Sequence, residues 1–371
     1  MAVNPSIWEL ETFYRKRGVI IIGAGFTGLW TAISIKERYP EKSVLVVERS
    51  PVPMGASTRN AGFACFGSLT EIIADSNTMG WEKTLELVKM RFGGLEKIRN
   101  FFKPEDIDFE LCGGYEILKD DGALQRIDEV NERLEHITGL EKTFSLNQNK
   151  IKDFGLANAQ FLIGNPCEGS LHSGKLLQQL LQKCQRLGIE FLFGTEVLKI
   201  SEEKNGVKIQ NGNFEIGCEK LVIATNAFTG NLLPEIDLKP VRGQILLTEP
   251  IENLKLKGTF HYDEGFYYFR NLGDRILLGG ARNLDFETEE TAALETTDVL
   301  QRHLEEFLKT VILPHTPFRI EHRWSGIMAM GKEKSPVVEK ISPRQIAAVR
   351  LSGMGVALAP IIGETVADLI C

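Results

Sequence analysis

Gly23, Gly25, Gly28 and Glu48 are the residues whose types and spacing most clearly specify a chemistry. The apolar run Val19-Ile20-Ile21-Ile22 leads into Gly23-Ala24-Gly25-Phe26-Thr27-Gly28, and a helical pattern follows through Leu29, Ala32, Ile33 and Ile35. A second apolar run, Val44-Leu45-Val46-Val47, ends on Glu48 and Arg49. The order is strand, glycine turn, helix, strand, acid. Gly23 permits the tight turn, Gly25 leaves the backbone open to a pyrophosphate, and Gly28 lets the helix pack closely on the strand. The helix start offers free N–H groups and a positive dipole end to phosphates. Glu48 stands where an acid accepts hydrogen bonds from ribose hydroxyls. Together these features predict a dinucleotide site made of Gly23, Ala24, Gly25, Phe26, Thr27, Gly28, Glu48 and Arg49.

Further chemistry follows in three places. The connector Gly55-Ala56-Ser57-Thr58-Arg59-Asn60-Ala61-Gly62 crowds small, hydroxyl and cationic residues behind the second strand. Folded back beneath the pyrophosphate, Ser57 and Thr58 offer hydroxyls and Arg59 a charge-assisted contact; the other reading makes Ser57 the N-cap of a surface helix. Tyr267-Tyr268-Phe269-Arg270 alternates, so two side chains face each way in a strand. Arg270 suits a carboxylate because its guanidinium is a bidentate fork, and it reads equally as an ordinary surface arginine. Near the end, Ser352-Gly353-Met354-Gly355-Val356-Ala357 is a second glycine turn opening a helix. His172, at the start of another helix, reads as a capping or packing residue rather than a base.

The bulk composition narrows the classes. With 371 residues, 43% hydrophobic and 25% charged, the chain has the balance of an ordinary globular protein of one or two domains. A net charge of −7 argues against a general nucleic-acid binder. No apolar run approaches the ~20 residues of a membrane span, and Met1 to Arg17 has no apolar signal core. The six cysteines, Cys65, Cys112, Cys167, Cys184, Cys218 and Cys371, include no CxxC pair. That spacing predicts no metal site, no disulfide framework and reduced thiols in a cytoplasmic protein. Cys65 reads as a packing residue.

Periodicity supplies the elements that must position these groups. A surface arm precedes the first strand and is expected to dock through Trp8. Leu85, Val88, Phe92, Leu95, Ile98 and Phe102 mark an apolar helix face within residues 69–102. Asp108 to Lys119 reads as two short strands turning at Gly113-Gly114, and Asp121 to Leu140 as a charged helix. Ser170-Leu171-His172-Ser173-Gly174 precedes a helix with Leu176, Leu177, Leu180, Leu181, Cys184 and Leu187 on one face, and a strand pair, Ile189–Phe193 and Glu196–Ile200, follows. Lys208–Ile216 reads as a hairpin, and Leu221-Val222-Ile223-Ala224 as a buried parallel strand ending in Thr225-Asn226. A long β section follows from Lys239, with strands at 245–248, 265–270 and 275–280.

These ordered motifs resemble the FAD-dependent amine and amino-acid oxidases of the D-amino-acid oxidase and glycine oxidase superfamily, with the strongest likeness to the γ-glutamylputrescine oxidase branch. The likeness rests on Gly55-Ala56-Ser57-x-Arg59-Asn60-x-Gly62, on Trp8 in the arm, on Asn226 where the superfamily has glycine, on Trp324-x-Gly326, and on the closing glycine turn. The resemblance implies an α/β fold: a Rossmann-like, three-layer FAD domain with a mostly parallel sheet (1–80, 155–240 and 325–371) and an inserted α+β substrate domain on a large mixed or antiparallel sheet (81–154 and 241–324). It also implies that the backbone of Val197 holds the adenine. Thr225 and Asn226 would lie by the pyrophosphate, Trp324 and Gly326 beside the ring system, and Gly353 to Ala357 at its pyrimidine carbonyl. Asn60, Ala61 and Gly62 complete the cofactor set, while Tyr267, Arg270 and Arg323 are the residues implied to orient substrate. No histidine lies in 55–64 and no cysteine in 324–336, where covalent relatives attach their flavin, so non-covalent FAD is expected. The activity implied is oxidation of a C–N bond of a small amine or amino acid to an imine, with dioxygen as acceptor and hydrogen peroxide as product. The alternatives are a flavin dehydrogenase serving a quinone or carrier, and a flavin-binding protein without turnover. Substrate identity and oligomeric state stay open.

Overall fold

A computed structural model describes residues 4–370. The start of the expected arm, residues 1–3, and Cys371 lie outside the described residues. Strands β1 to β9 run at Arg17–Ile22, Val44–Val47, Phe63–Ala64, Gly114–Leu118, Ser145–Leu146, Phe161–Asn165, Gly169–Ser170, Glu190–Leu192 and Lys199–Glu203. Strands β10 to β18 run at Gly206–Gln210, Glu215–Ile223, Lys239–Thr248, Thr259–Tyr262, Tyr267–Leu272, Arg275–Gly280, Ile320–Met330, Val337–Lys340 and Gln345–Val349. They serve two compact units. Unit 1 takes the chain up to Thr58, Gly174–Pro240 and everything from Met328 on; unit 2 takes Arg59–Ser173 and Val241–Ile327.

The sheet of unit 1 has the order β17-β18-β11-β1-β2-β8. β8, β2, β1, β11 and β18 are parallel, and β17 lies antiparallel at the edge. Val19, Ile20 and Ile21 of β1 are buried to the last atom, as a strand covered on both faces requires. The register aligns Ile22 with both Val47 and Ile223, and Ile223 with Ala347, which brings the carboxyl ends of four strands into one row. Ligands of open α/β sheets bind at such a row. The helices Phe26–Arg38 and Gly355–Leu369 pack together, and Gly363 makes the approach possible: a Cβ there would lie 2.6 Å from the Trp30 carbonyl carbon.

Unit 2 is built on a sheet of order β16-β12-β15-β14-β13-β4-β6-β5. β13 and β4 are parallel, while β12–β15, β13–β14, β14–β15, β4–β6 and β5–β6 are antiparallel. The large core joins Phe260, Tyr267, Phe269 and Leu278 to Leu300, Leu304 and Phe307 of the helix Asp298–Phe307. A smaller cluster of Ala61, Ile245, Leu247 and Leu277 gathers Phe63, Tyr268, Leu272 and Trp324. Helices Leu69–Met79, Trp81–Phe101 and Ile127–Thr138 pack with one another.

Several expectations are corrected. The segment 108–119 forms one strand, β4; its first half instead bridges Glu110 to Ser170. The segments near 190 and 200 are not partners, because β8 joins β2 and β9 joins β10. Residues 59–80 and 155–173 pack within unit 2 rather than with the nucleotide-binding segments, since β3 pairs with β7 and β4 with β6. Helix Ile7–Glu11 forms behind a Ser6–Glu9 capping box, but Trp8 is 74% exposed and does not dock. No described helix is long and apolar enough to cross a membrane.

Candidate functional site

In unit 1 the glycine turn is enforced by close packing. Gly23 adopts φ +108°, and a Cβ on Gly28 would lie 1.9 Å from the Gly23 carbonyl oxygen. Gly25 is the N-cap of the first long helix and makes no side-chain capping bond. Ser57 accepts a hydrogen bond from the Phe26 N–H at 2.9 Å, so its hydroxyl serves the helix start and caps no surface helix of its own. The carboxylate of Glu48 accepts from the N–H of Ala24 (3.0 Å) and of Ser50 (3.1 Å), which locks acid and turn together. Thr58 turns its hydroxyl to the carbonyls of Pro53 and Gly55, within its own turn. Arg49 stacks 3.7 Å over the Phe228 ring. Thr27 is half-buried at the helix start. Val197 is buried between β8 and β9, outside both strands.

The other two strand ends complete the row. Thr225 shares a hydrogen bond with Thr229, and Asn226 sits at φ +46°, the left-handed conformation asparagine tolerates best. Its Oδ1 is buried without a partner. After β18 the chain makes left-handed steps at Arg350, Ser352 and Gly353 before the helix beginning at Gly355. That helix has Met354 as N-cap, no side-chain capping bond and no acid in its first turn; the side chains of Val356 and Ala357 are buried. Ser352 Oγ is a second buried, unpartnered oxygen. Two helix starts without an N-cap side chain of their own, the first held only at the Phe26 N–H by Ser57, two orphaned oxygens and a glycine cradle at the carboxyl ends of parallel strands fit a dinucleotide: N–H groups for its phosphates and oxygens to accept from its hydroxyls.

In unit 2 the segment after Thr58 is tied down on several sides. Arg59 Nη1 donates to the Ser325 carbonyl at 2.9 Å, and Trp324 Nε1 donates to the Arg59 carbonyl at 3.1 Å. Gly326 lets β16 lie against it, since a Cβ there would be 3.0 Å from Arg59 Cβ. Asn60 Oδ1 accepts from Gly62 N and from Ser173 Oγ. Gly62 stands at φ +71°, where a Cβ would be 2.3 Å from the Leu171 carbonyl oxygen. Ala61 is buried in the small cluster with Trp324.

The substrate-orienting candidates separate here. Arg270 is buried, and Nη1 donates to the carbonyls of Gly62 (2.6 Å) and Leu171 (3.0 Å) while Nε donates to that of Asn271. Among the described residues Nη2 makes no hydrogen bond, and burial lowers the guanidinium pKa. Tyr267 points to the opposite face, into the large core, stacked on Phe307 at 4.7 Å. Tyr268, one residue on, shares the Arg270 face with Phe63, Ala61 and Trp324. Burial pushes its hydroxyl up to about 12. Strand alternation carried that signal, with Tyr268 and Arg270 two residues apart. Arg323 is engaged elsewhere: Nη1 donates to Gln301 and Nη2 to Glu305, on an exposed stretch of β16. His172 is exposed, its N–H held by the Ile107 carbonyl.

The same unit brings together three residues that no spacing rule connects. Cys65 Sγ, a carboxylate oxygen of Glu168 and a ring nitrogen of His261 lie within 4.8 Å of one another, all buried. Burial raises the Cys65 thiol pKa. Burial opposes charge on His261, yet the Cys65 and Glu168 side chains outweigh it and raise its pKa well above 6.5.

A glycine turn and helix starts at the carboxyl ends of parallel strands, with an acid after the second strand, define a dinucleotide-binding α/β fold. The sequence model of the DAO family, the FAD dependent oxidoreductases, matches residues 18–369, so the chain belongs to that family and its cofactor is FAD. Among curated proteins it is 25% identical to the probable oxidoreductase OrdL of Rhizobium meliloti, covering 96% of this chain and 83% of that protein. It is 24% identical to the gamma-glutamylputrescine oxidoreductase of Escherichia coli, covering 95% and 83%. Among solved structures, L-proline dehydrogenase from P. horikoshii superposes with a TM-score of 0.81 at 21% identity, covering 96% of this chain and 93% of that one.

Proposed function

We propose that this FAD-dependent oxidoreductase oxidises the C–N bond of a small amine or amino acid to an imine, which water hydrolyses, with dioxygen reduced to hydrogen peroxide. The observation that carries the reading is the face of β14 in unit 2. Arg270 Nη2 keeps two N–H donors unclaimed beside Tyr268, on the face that also packs Ala61 and Trp324. A guanidinium with free donors in a dry, aromatic setting suits the carboxylate of an amino acid. FAD, when bound, takes up the two electrons of the oxidation. The chain's own groups bind and orient. Unit 1 holds the dinucleotide through the Gly23–Gly28 turn, Glu48, Asn226 and the two helix starts. Within unit 2, Arg59 to Gly62 are fixed by Trp324, Ser325 and Arg270. The Tyr268 hydroxyl stays protonated at working pH, which makes it a hydrogen-bond donor to substrate and not a base. Tyr267 and Arg323 have no place in this arrangement.

The cofactor is read as non-covalent, so acid precipitation should leave the yellow colour in the supernatant. The deciding experiment is an anaerobic titration of the visible flavin absorption with amines and with D- and L-amino acids. Bleaching by one class fixes reaction and substrate together; an intact flavin that no member of the panel bleaches overturns the reading. Admitting air then tests the acceptor. The solved structural neighbour is named a dehydrogenase, and turnover that yields no peroxide but reduces an added quinone would assign this chain the same way.

A further inference from the structure

We propose that Cys65, Glu168 and His261 form a zinc site inside unit 2. Its construction follows from the sheet register. β3 and β7 pair antiparallel with Ala64 opposite Gly169, so the next residues outward, Cys65 and Glu168, come face to face. His261 enters from the middle of β13, its ring edge-on to Phe63 at 5.3 Å. Three segments about a hundred residues apart in sequence thus deliver a thiol, a carboxylate and an imidazole to one point, each less than a tenth exposed.

The surroundings fix where the donors point. Glu168 Oε1 is held by the Phe66 N–H at 3.0 Å, which orients the carboxylate and leaves Oε2 toward His261. Only glycine at 114 leaves room for that oxygen, since a Cβ there would lie 2.1 Å from it. His261 Nε2 is buried with no hydrogen-bond partner; Glu168 Oε2, at 3.7 Å, is beyond hydrogen-bond reach. Bonds of about 2.0–2.3 Å in a tetrahedral zinc site set donor atoms roughly 3.5 Å apart, so donors lying within 4.8 Å of one another close by at most about 1.3 Å on binding. Glu168 and His261 also line a small cavity with Ser68, Glu116 and Asn165, with room for about one water. Asn165 Nδ2 is likewise buried and unpartnered. A water in the fourth position would accept a hydrogen bond from it.

A thiolate with an imidazole selects zinc over magnesium or calcium, which prefer oxygen donors throughout. Coordination needs the thiolate and the neutral imidazole, so uptake of Zn²⁺ releases the thiol proton, and the imidazole proton where present, to solvent. The ion would pin three segments of unit 2, one of them three residues beyond Gly62.

The test uses the purified holoprotein. Elemental analysis should find about one zinc per chain. Chelation should lower the melting temperature, and replacement by Co²⁺ should add a thiolate-to-cobalt charge-transfer band in the near ultraviolet, read as a difference against the flavin spectrum. Cys65→Ser and His261→Ala should each abolish the band and reduce zinc from about one equivalent to near none, while Cys167→Ser, on a half-buried thiol outside the cluster, should keep both. Absence of bound metal after adding stoichiometric Zn²⁺, or zinc that persists in both ligand variants, overturns the site; a metal-free protein would make the cluster a proton-sharing trio around a buried water. Should the variants fail to fold, the Co²⁺ spectrum of the unaltered protein still decides. Metal content is read independently of flavin turnover, so the result stands apart from the proposed reaction.

Discussion

In unit 1 the groups that face the carboxyl ends of the parallel strands are mostly main-chain: the N–H groups of two helix starts, of which Ser57 takes only that of Phe26, and a glycine turn, with Asn226 Oδ1 and Ser352 Oγ unpartnered among them. In unit 2 the polar side chains on the sheet are mostly engaged. Arg242 and Glu289, both buried, form a fork with Gln244. Arg270 spends Nε and Nη1 on three carbonyls. The two arrangements suit different kinds of ligand. A pyrophosphate is read by backbone amides, which any sequence supplies once glycine permits the approach. An amine or carboxylate is read by one or two side chains, which must first be held still by their neighbours. The unclaimed donors of Arg270 and the unpartnered nitrogens of His261 and Asn165 are among the exceptions in unit 2, as is Ser325 Oγ.

The comparison can be broken most sharply at Gly28. Gly28→Val places side-chain atoms against the Gly23 carbonyl, so the turn cannot close; the variant should purify without flavin absorption or fail to fold. Stoichiometric FAD in it would show that backbone packing does not control the unit 1 site. Next in size is Glu289→Ala. It strands the buried Arg242 charge, at a cost of about 3–5 kcal/mol. The melting temperature should fall by on the order of 10 °C. A negligible shift would mean that the ion pair is not desolvated.

Tyr268→Phe and Tyr267→Phe sharpen the contrast between the two faces of β14. Loss of one substrate hydrogen bond, worth ~1 kcal/mol, should raise the KM of the Tyr268 variant about fivefold. The Tyr267 variant should match the parent, because that ring is core. A reversed result would return Tyr267 to the site. Since burial moves the Tyr268 pKa from 10.0 to about 12, the folded state holds its proton longer than the unfolded chain. Stability from this group is therefore lost as pH rises from 10 to 12, and the pH profile of kcat should show no tyrosine ionisation below that window. The smallest effect belongs to Arg323→Ala. Its exposed pair with Glu305 is worth about 0–1 kcal/mol, and steady-state kinetics should be unchanged.

How much of this was legible depends on the range of the interaction. The Gly23–Gly28 turn, Glu48 and the closing turn at Gly353 are local, because a glycine pattern between a β-branched run and a helix encodes its own geometry. Asn226 could be read for the same reason, its left-handed step being a property of one residue. The pairing of β8 with β2, and of β9 with β10, could not be read locally, because a short apolar run does not name its partner. Arg323 drew attention through its neighbour Trp324, yet in a strand neighbours face opposite ways. By the same alternation Tyr268, and not Tyr267, shares a face with Arg270.

What the sequence by itself determined is the nucleotide-binding half: strand, glycine turn, helix and acid, whose chemistry lies in backbone conformation and is written in consecutive residues. Only the tertiary structure decided which side chains meet in unit 2. Arg270 reaches Gly62 and Leu171, and Cys65 reaches Glu168 and His261, across separations of about a hundred residues or more. Those meetings depend on strand register, which is set by the burial of whole faces at once and not by any local motif.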